Sequence, residues 1–223
     1  MAALLSAPLA QAAYVTLNES GLDSIFSQAS FGGRTIDIRI GALTQLVRPD
    51  LLDLSTSAEV SALFGLHVGA ANVVNFYFVD TISACGFTVS SSIIGCGEVF
   101  GNDFVVESDW AANNTPQAGG YTFGEQLLAH ELAHNMGLSH RSGNNLMNPF
   151  INGYGDLNDA EVTAILASPL VQTDATGQRY VLINPVLISA AAAELPEPST
   201  MLLAFGALAA AGVGSRRRRA RTS

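Results

Sequence analysis

Apolar residues follow two patterns along the chain, one typical of strands and the other of helices. Between positions 34 and 40, three isoleucines alternate with polar residues, which predicts a half-buried strand. The run 73–82 is β-branched and aromatic almost throughout, as in a central strand with both faces covered. A shorter apolar run predicts another strand over 103–107, and residues 113–120 are rich in turn formers.

Helices are predicted where a capping box stands at the start of an apolar run, because the two residues of the box satisfy the free N–H groups of the first turn. The three boxes are Thr56 with Glu59, Thr122 with Glu125, and Asn158 with Glu161. They predict helices over about 57–66, from Thr122 to about Met136, and from Asn158 to a stop before Pro169. A short helix is also predicted over 21–29. Strands alternating with helices indicate one mixed α/β (α+β) domain over 14–185.

The start of the chain has the pattern of an export signal. Residues 2–12 are apolar and end in Ala10-Gln11-Ala12, the small-x-small pattern that precedes signal-peptidase cleavage. We therefore expect residues 1–13 to be a signal peptide; a disordered or strand-forming N-terminus is the alternative. At the other end of the domain, the Ala-rich residues 186–195 are interpreted as a linker.

Charge is distributed unevenly. Between positions 14 and 184 there are five arginines and seventeen acidic residues, a formal charge of about −12, and the whole chain contains no lysine. Such an acidic body argues against nucleic acid as a partner, because binding to phosphates requires a cationic surface. The other five arginines all lie within the last eight positions.

Only two cysteines are present, Cys85 and Cys96, in a stretch rich in Gly and Ser. Their short separation suits a local disulfide that closes a loop, which would fit an oxidising compartment. Two reduced thiols are the alternative. Two thiols alone cannot form a structural zinc site.

The segment 130–140 carries the chemistry, with the pattern His-Glu-x-x-His-x-x-Gly-x-x-His. His130 and His134 are four apart and share one helix face, where two imidazoles can bind one Zn²⁺. Glu131 lies beside that face, within reach of a water on the metal but not as a ligand. Gly137 can take the left-handed conformation that ends a helix, which lets His140 turn back to the metal. Three ligands leave one position open, as in a catalytic zinc site.

This pattern resembles the motif of the metzincin zinc metallopeptidases. The segment 145–148, Asn-Leu-Met-Asn, is similar to the metzincin Met-turn, in which Met147 would lie beneath the metal histidines; a core methionine that fills a gap is equally compatible. The resemblance implies a mixed twisted sheet with an active-site helix. It also implies hydrolysis of peptide bonds in a protein or peptide substrate, with Glu131 as general base toward a zinc-bound water.

Metzincins hold the substrate as an added strand on an edge of the sheet, and 103–107 is the candidate for that edge here. Two departures leave the subfamily open. Arg141 follows the third histidine, and Pro149 stands where astacins and serralysins have a tyrosine ligand; Tyr154 is out of register. No cysteine precedes Cys85, so a thiol-based latency switch is not expected.

The last 28 residues, 196–223, combine three parts. A Pro-Glu-Pro-Ser-Thr box is followed by an apolar run over 201–213 and by the arginine cluster. This order resembles the PEP-CTERM sorting signal of Gram-negative bacteria, with a short C-terminal hydrophobic helix. It implies processing by an exosortase, transient insertion into the membrane and delivery outside the cell or to its surface. An ordinary C-terminal anchor is the alternative.

The remaining candidates have plain interpretations. His67, the fourth histidine, and Trp110, the only tryptophan, are interpreted as packing or surface residues. Asp103, Glu107 and Asp109 can form a Ca²⁺ site, although a solvated acidic face is the simpler interpretation. The function expected is that of an exported zinc metalloendopeptidase; the alternative is a non-catalytic, zinc-stabilised surface or matrix protein. The presence of Glu131 favours the enzyme.

Overall fold

Residues 14–190 are described by a computed structural model of the chain and belong to one compact unit. The predicted signal peptide 1–13, the end of the linker and the sorting signal 196–223 with its hydrophobic helix lie outside the described residues. Within 14–190, no helix combines the length and apolarity that a bilayer crossing requires.

Residues 14–190 form a mixed α/β structure with five α-helices and a seven-stranded sheet. The helices are α1 (Glu19–Phe26), α2 (Ser57–Phe64), α3 (Ser108–Ala111), α4 (Phe123–Asn135) and α5 (Asp159–Leu166). The strands are β1 (Ile36–Ile40), β2 (Thr44–Val47), β3 (Asp53–Leu54), β4 (Val73–Val79), β5 (Thr81–Ile82), β6 (Ala84–Cys85), β7 (Thr88–Val89), β8 (Gly95–Gly97), β9 (Asp103–Glu107), β10 (Gln172–Thr173) and β11 (Arg179–Ser189). Short 3-10 turns occupy Ala29–Phe31 and Pro49–Leu51.

The main sheet has the order β1-β11-β4-β9-β8, and β2 and β10 also pair with β11. Strands β1, β11, β4 and β9 are parallel to their neighbours, whereas β8 runs antiparallel to β9 at one edge. Two-stranded pairs β3–β5 and β6–β7 lie outside this sheet. Parallel strands need covered faces, and β4 is buried along its whole length.

Two apolar clusters cover the two faces of the sheet. The larger one packs α1, α4 and α5 against one face, and its strand residues include Phe76, Phe78 and Phe104. The smaller one packs α2 against the other face, around Tyr77 and Val105. The domain is therefore a three-layer arrangement in which α4 lies in the interior.

All three predicted capping boxes are confirmed, because in each the side chain of the first residue accepts the N–H of the glutamate while the glutamate accepts the N–H of the first residue. The helices they start end within one or two residues of the predicted positions. The predicted strand 73–82 is shorter than expected: β4 ends at Val79, and β5 leaves the main sheet to pair with β3.

Two expectations about strands were wrong. The predicted linker 186–195 begins inside β11, which runs to Ser189 and pairs with β1, β2 and β4 at the centre of the sheet. Its Ala-rich continuation concealed the apolar alternation of 181–188. The predicted substrate edge is also wrong, because β9 (103–107) lies between β4 and β8 and has no free side. The edge next to α4 is β8.

Candidate metal centre

Helix α4 places the first two histidines of the motif. The Thr122–Glu125 capping box fixes its start, and its sides are apolar or closely packed, so twelve consecutive residues from Gly124 to Asn135 are buried. His130 and His134 lie one turn apart within this segment, on the same side of the helix. Two imidazoles are thus held in a nearly water-free environment by a helix that cannot shift without disturbing the core.

Gly137 ends α4 and turns the chain back toward the metal site. Its φ is +97°, its N–H donates to the carbonyl of His134 at 2.8 Å, and the Leu138 N–H donates to the carbonyl of Ala133 at 3.0 Å. This pair of bonds is the Schellman motif, which glycine favours because it has no Cβ. The reversal brings His140 beside the two histidines of the helix.

The three imidazoles meet through their Nε2 atoms. The separations are 3.1 Å between His130 and His134, 3.1 Å between His134 and His140, and 3.3 Å between His130 and His140. In the described part of the chain, this is the one group of three or more His, Cys, Asp or Glu whose ligand atoms converge. Tetrahedral zinc with Zn–N bonds of about 2.0–2.1 Å would hold its ligands roughly 3.3 Å apart.

Backbone carbonyls decide which nitrogen of each buried histidine carries the proton. Nδ1 of His130 lies 2.7 Å from the carbonyl of Leu146, and Nδ1 of His134 lies 2.7 Å from that of Leu138. A carbonyl only accepts, so each Nδ1 must be the donor and each neutral ring keeps a lone pair on Nε2. Two lone pairs facing each other at 3.1 Å repel, and a cation between them removes the conflict. The donor set therefore fits a metal ion.

Burial keeps these rings neutral. Desolvation is the main cause that lowers the pKa of His130 to about 3, assisted by the neighbouring His134. Desolvation likewise lowers the pKa of His134 and of His140, the most exposed of the three. Near neutral pH the site therefore presents unprotonated imidazoles, the form that binds metal.

Glu131 lies against β8, with its carboxylate on the glycines of that strand. A Cβ added to Gly95 would lie 2.4 Å from Oε1 of Glu131, and one added to Gly97 would lie 3.1 Å from Oε2. The nearby Gly97 backbone lowers the pKa of Glu131 and so counteracts part of the effect of desolvation. Burial nevertheless raises the pKa of Glu131 to about 8. A strongly shifted carboxyl beside three converging imidazoles is typical of a general base.

The loop after His140 contacts one of the three histidines and packs into the core. Leu146 and Met147 are fully buried in the larger apolar cluster, and the Leu146 carbonyl is the partner of His130. The Met147 carbonyl accepts the N–H of Arg141, whose guanidinium pairs with Glu161 of α5 at 2.7 Å. The segment predicted as a Met-turn is thus packed where it orients His130.

A cavity of about 550 Å³ opens beside His130, Glu131 and His140. Its other walls are mostly apolar and come from the segment before β8, from α4 and from the loop after Met147; they include Ile93, Ile94, Phe123, Leu127 and Ile151. A second opening, of about 460 Å³, reaches Glu131, His134 and His140 from the side of β8. The candidate metal centre is therefore accessible, with an apolar pocket on one side.

The two cysteines are joined in a disulfide in this structure. Cys96 is the middle residue of β8, and Cys85 belongs to the β6–β7 hairpin, so the bond ties that hairpin to the wall of the metal centre. The functional meaning of this link could not be deduced from the sequence, because the segment has the composition of a loop.

The remaining candidates are not part of the metal centre. Nδ1 of His67 lies 2.9 Å from the Asp103 carboxylate and near the amide of Asn75, on the other side of the sheet from α4. The predicted Ca²⁺ group is not assembled, because Asp103 is buried at the start of β9, while Glu107 ends that strand. Trp110 packs against Phe123 at the start of α4, with 41% of its surface exposed.

Sequence reasoning missed the contribution of β8. Gly95 and Gly97 lie against Glu131, yet two glycines within three positions predict a loop. The signal that remained was Ile93-Ile94 just before them, two β-branched residues of the kind found in strands.

No protein-family model, curated protein or solved structure matches the chain. The likeness to metzincins therefore depends on the motif and on the geometry of the residues described above.

Proposed function

We propose that this protein is an exported zinc-dependent metalloendopeptidase of the metzincin type. One observation carries the proposal: three imidazole nitrogens converge at 3.1–3.3 Å beside a buried glutamate, in a centre open to a cavity. Structural zinc sites use four protein ligands, whereas a three-histidine set leaves a position for a reacting molecule.

Zinc is the proposed ion because neutral imidazoles are among its preferred ligands and a tetrahedral site matches the spacings. When bound, the ion would supply Lewis acidity, which lowers the pKa of a water molecule and polarises a peptide carbonyl. Glu131 would take a proton from the attacking water and later give it to the leaving amine. The Leu138 and Leu146 carbonyls would keep the rings of His134 and His130 oriented.

The substrate is proposed to be a protein or peptide bound along the free edge of β8. The Ile94 carbonyl accepts the N–H of Glu107 in β9, so by the alternation of antiparallel pairs the main-chain groups of Gly95 and Gly97 point away from the sheet. An extended chain can add to such an edge. Its side chains would then reach the apolar cavity beside the metal.

Membership of the metzincins is supported by the motif, by the glycine turn and by the packed Met147. An antiparallel edge strand next to the metal helix fits the substrate-binding mode that the resemblance implies. Arg141 pairs with Glu161, and Phe150 and Ile151 rather than a tyrosine follow Pro149, so no subfamily is proposed. Export is supported by the disulfide and by the two terminal sequence patterns, with an exosortase as processing partner.

The test is hydrolysis of a casein or a mixed peptide library by the purified, zinc-loaded protein. We expect cleavage that a chelator abolishes and zinc restores. Glu131→Ala is expected to lower the rate by about 10²–10⁴-fold while one zinc per chain is retained. His140→Ala is expected to lower zinc affinity, whereas His67→Ala, the matched control outside the centre, leaves it unchanged.

Two outcomes would contradict this proposal. Zinc bound at one per chain without hydrolysis of any peptide would favour the alternative, a zinc-stabilised binding or matrix protein that does not catalyse. Hydrolysis that survives Glu131→Ala at the rate of the unaltered protein would refute the role of this residue.

A further inference from the structure

Strand β8 has the sequence Gly-Cys-Gly, and its two faces differ completely. Both glycines face α4, where the carboxylate of Glu131 takes the space that side chains would fill. Cys96 faces the opposite way, into the smaller apolar cluster, and is 5% exposed. The alternation of side chains along a strand makes this arrangement possible only with glycine on both sides of the cysteine.

The contacts between β8 and α4 are close. A Cβ on Gly97 would lie 3.0 Å from the Glu131 carbonyl and 3.4 Å from Cβ of His134, in addition to its contact with the Glu131 carboxylate. The backbone of the edge strand β8 therefore limits the positions that the Glu131 side chain can take.

A strand of this composition has low intrinsic stability. Glycine loses more backbone freedom on ordering than any other residue and offers no side chain to pack, and β8 has a partner on one side only. Cys96 is its only side chain beyond Cα. The bond from Cys96 to Cys85 joins β8 to the β6–β7 hairpin, which Ser57 of α2 also holds through the Gly86 carbonyl.

We propose that Gly95, Cys96 and Gly97 form a positioning segment for Glu131 and that the Cys85–Cys96 disulfide is its anchor. The glycines allow the carboxylate to lie against the strand backbone, and the disulfide keeps the strand at the required distance from α4. Cys85 and Cys96 act through Glu131. The consequence for hydrolysis rests on the proposed function; the positioning itself does not.

The positioning is tested first in the metal-free protein, by hydrogen exchange of the Glu107 amide, which donates to the Ile94 carbonyl and so reports whether β8 stays paired with β9. We expect Cys85→Ser/Cys96→Ala to accelerate this exchange at least 10-fold relative to the amides of β11, which report global opening. Glu131→Ala, which removes the side chain that packs on Gly95 and Gly97, is expected to accelerate it as well. Reducing the unaltered protein should have the same effect as the cysteine variant, and reoxidation should reverse it. Glu107 exchange that ignores the disulfide or Glu131 overturns the proposal.

Turnover supplies the second readout. We expect the cysteine variant to lose at least 10-fold in kcat with zinc content unchanged, but to lose little further activity in the Glu131→Ala background, because both changes remove the same interaction. Full additivity of the two losses would overturn the proposal. Asp174→Ala, which breaks the ion pair with Arg39 near the opposite edge of the sheet, is the control for destabilisation and should leave kcat and Glu107 exchange unchanged.

The two proposals fail in different ways. If no variant hydrolyses peptides but Glu107 exchange responds as expected, the proposed function fails and the positioning stands. If the protein is an active peptidase whose kcat and Glu107 exchange are indifferent to the disulfide, the positioning fails and the function stands.

Discussion

His130, His134 and Glu131 all have side chains that burial holds in the uncharged form when no metal is present. The pKa of His130 is lowered to about 3 and that of Glu131 is raised to about 8, both mainly by desolvation. Neutral imidazoles do not have to lose protons before they bind a cation near neutral pH. The neutral residues therefore favour the binding of a metal ion. The metal-free state is less stable, because in it the lone pairs of the imidazoles face each other.

The shifted pKa of Glu131 gives a prediction about the stability of the metal-free protein. Its folded pKa of about 8 lies above the ordinary value of 4.5, so the folded state binds this proton more tightly than the unfolded state. The contribution to the free energy of unfolding is complete below pH 4.5 and is lost as pH rises through about 8. In urea unfolding, the free energy of unfolding of Glu131→Gln should rise relative to that of the unaltered protein by roughly 1.4 kcal/mol per pH unit between pH 5 and 8.

The difference between the two proteins isolates Glu131. Both retain the histidines, whose lowered pKa values make the folded state lose stability as pH falls below 6.5. That effect has the opposite sign and cancels in the comparison. A difference that stays constant from pH 5 to 8 would mean that Glu131 is solvated in the metal-free protein.

At the scale of elements, the centre is made by one helix, the turn that ends it and the edge strand beside it. Gly137 serves two of these, since its Schellman turn also delivers the Leu138 carbonyl to His134. A Cβ at Gly137 would lie 2.4 Å from Cε1 of Phe100, a residue in the turn after β8 whose own φ is +63° and whose N–H donates to the His134 carbonyl. The β8–β9 connection therefore packs against the C-terminal end of α4.

Substitution of Gly137 should therefore cost more than the strain of its backbone. Gly177 is the matched control: its φ of +87° is similar, but no atom lies within 4 Å of an added Cβ. Gly177→Ala is expected to cost about 1–2 kcal/mol of unfolding free energy from the left-handed conformation alone. Gly137→Ala is expected to cost more and to weaken zinc binding as well. Equal losses in urea unfolding, with equal zinc affinity, would contradict this prediction.

The sequence predicted those parts of the centre whose chemistry is local. The spacing of His130 and His134 on a helix, the turn at Gly137 and the capping box at Thr122 depend on residues within one or two turns of one another. The role of β8 could not be predicted, because Gly95 and Gly97 are defined by Glu131, which lies more than thirty positions away in the sequence. Local sequence patterns specify individual helices and strands. Whether a glycine lies in a loop or in a strand that contacts Glu131 depends on how elements distant in the sequence pair with one another.

At the scale of the whole molecule, β11 connects the two sides of the domain. Its first half pairs with β1 and its second half with β2, while β4 lies along its other side. Val186 and Ile188 are fully buried in the smaller apolar cluster, the one that also contains Cys96. The start of the segment predicted to be a linker is therefore part of the central sheet, which supports the candidate metal centre.

This placement predicts where the domain can be shortened. Removing 186–189 takes away every partner of β2 and the burial of two branched side chains, a loss of about 3–6 kcal/mol at roughly 1.5–3 kcal/mol each. That loss is comparable to the whole stability of many domains. A chain ending at Pro185 should fail to unfold cooperatively in urea and should bind zinc weakly. A chain ending at Ala190 should unfold cooperatively and bind zinc normally.

Two point variants separate the effect of burial from that of chain length. Ile188→Ala is expected to cost about 2–5 kcal/mol, whereas Val47→Ala, on the neighbouring β2, changes a side chain that is half exposed. If a chain ending at Pro185 keeps full stability, β11 carries no weight beyond that residue and the domain ends where the sequence alone had placed it.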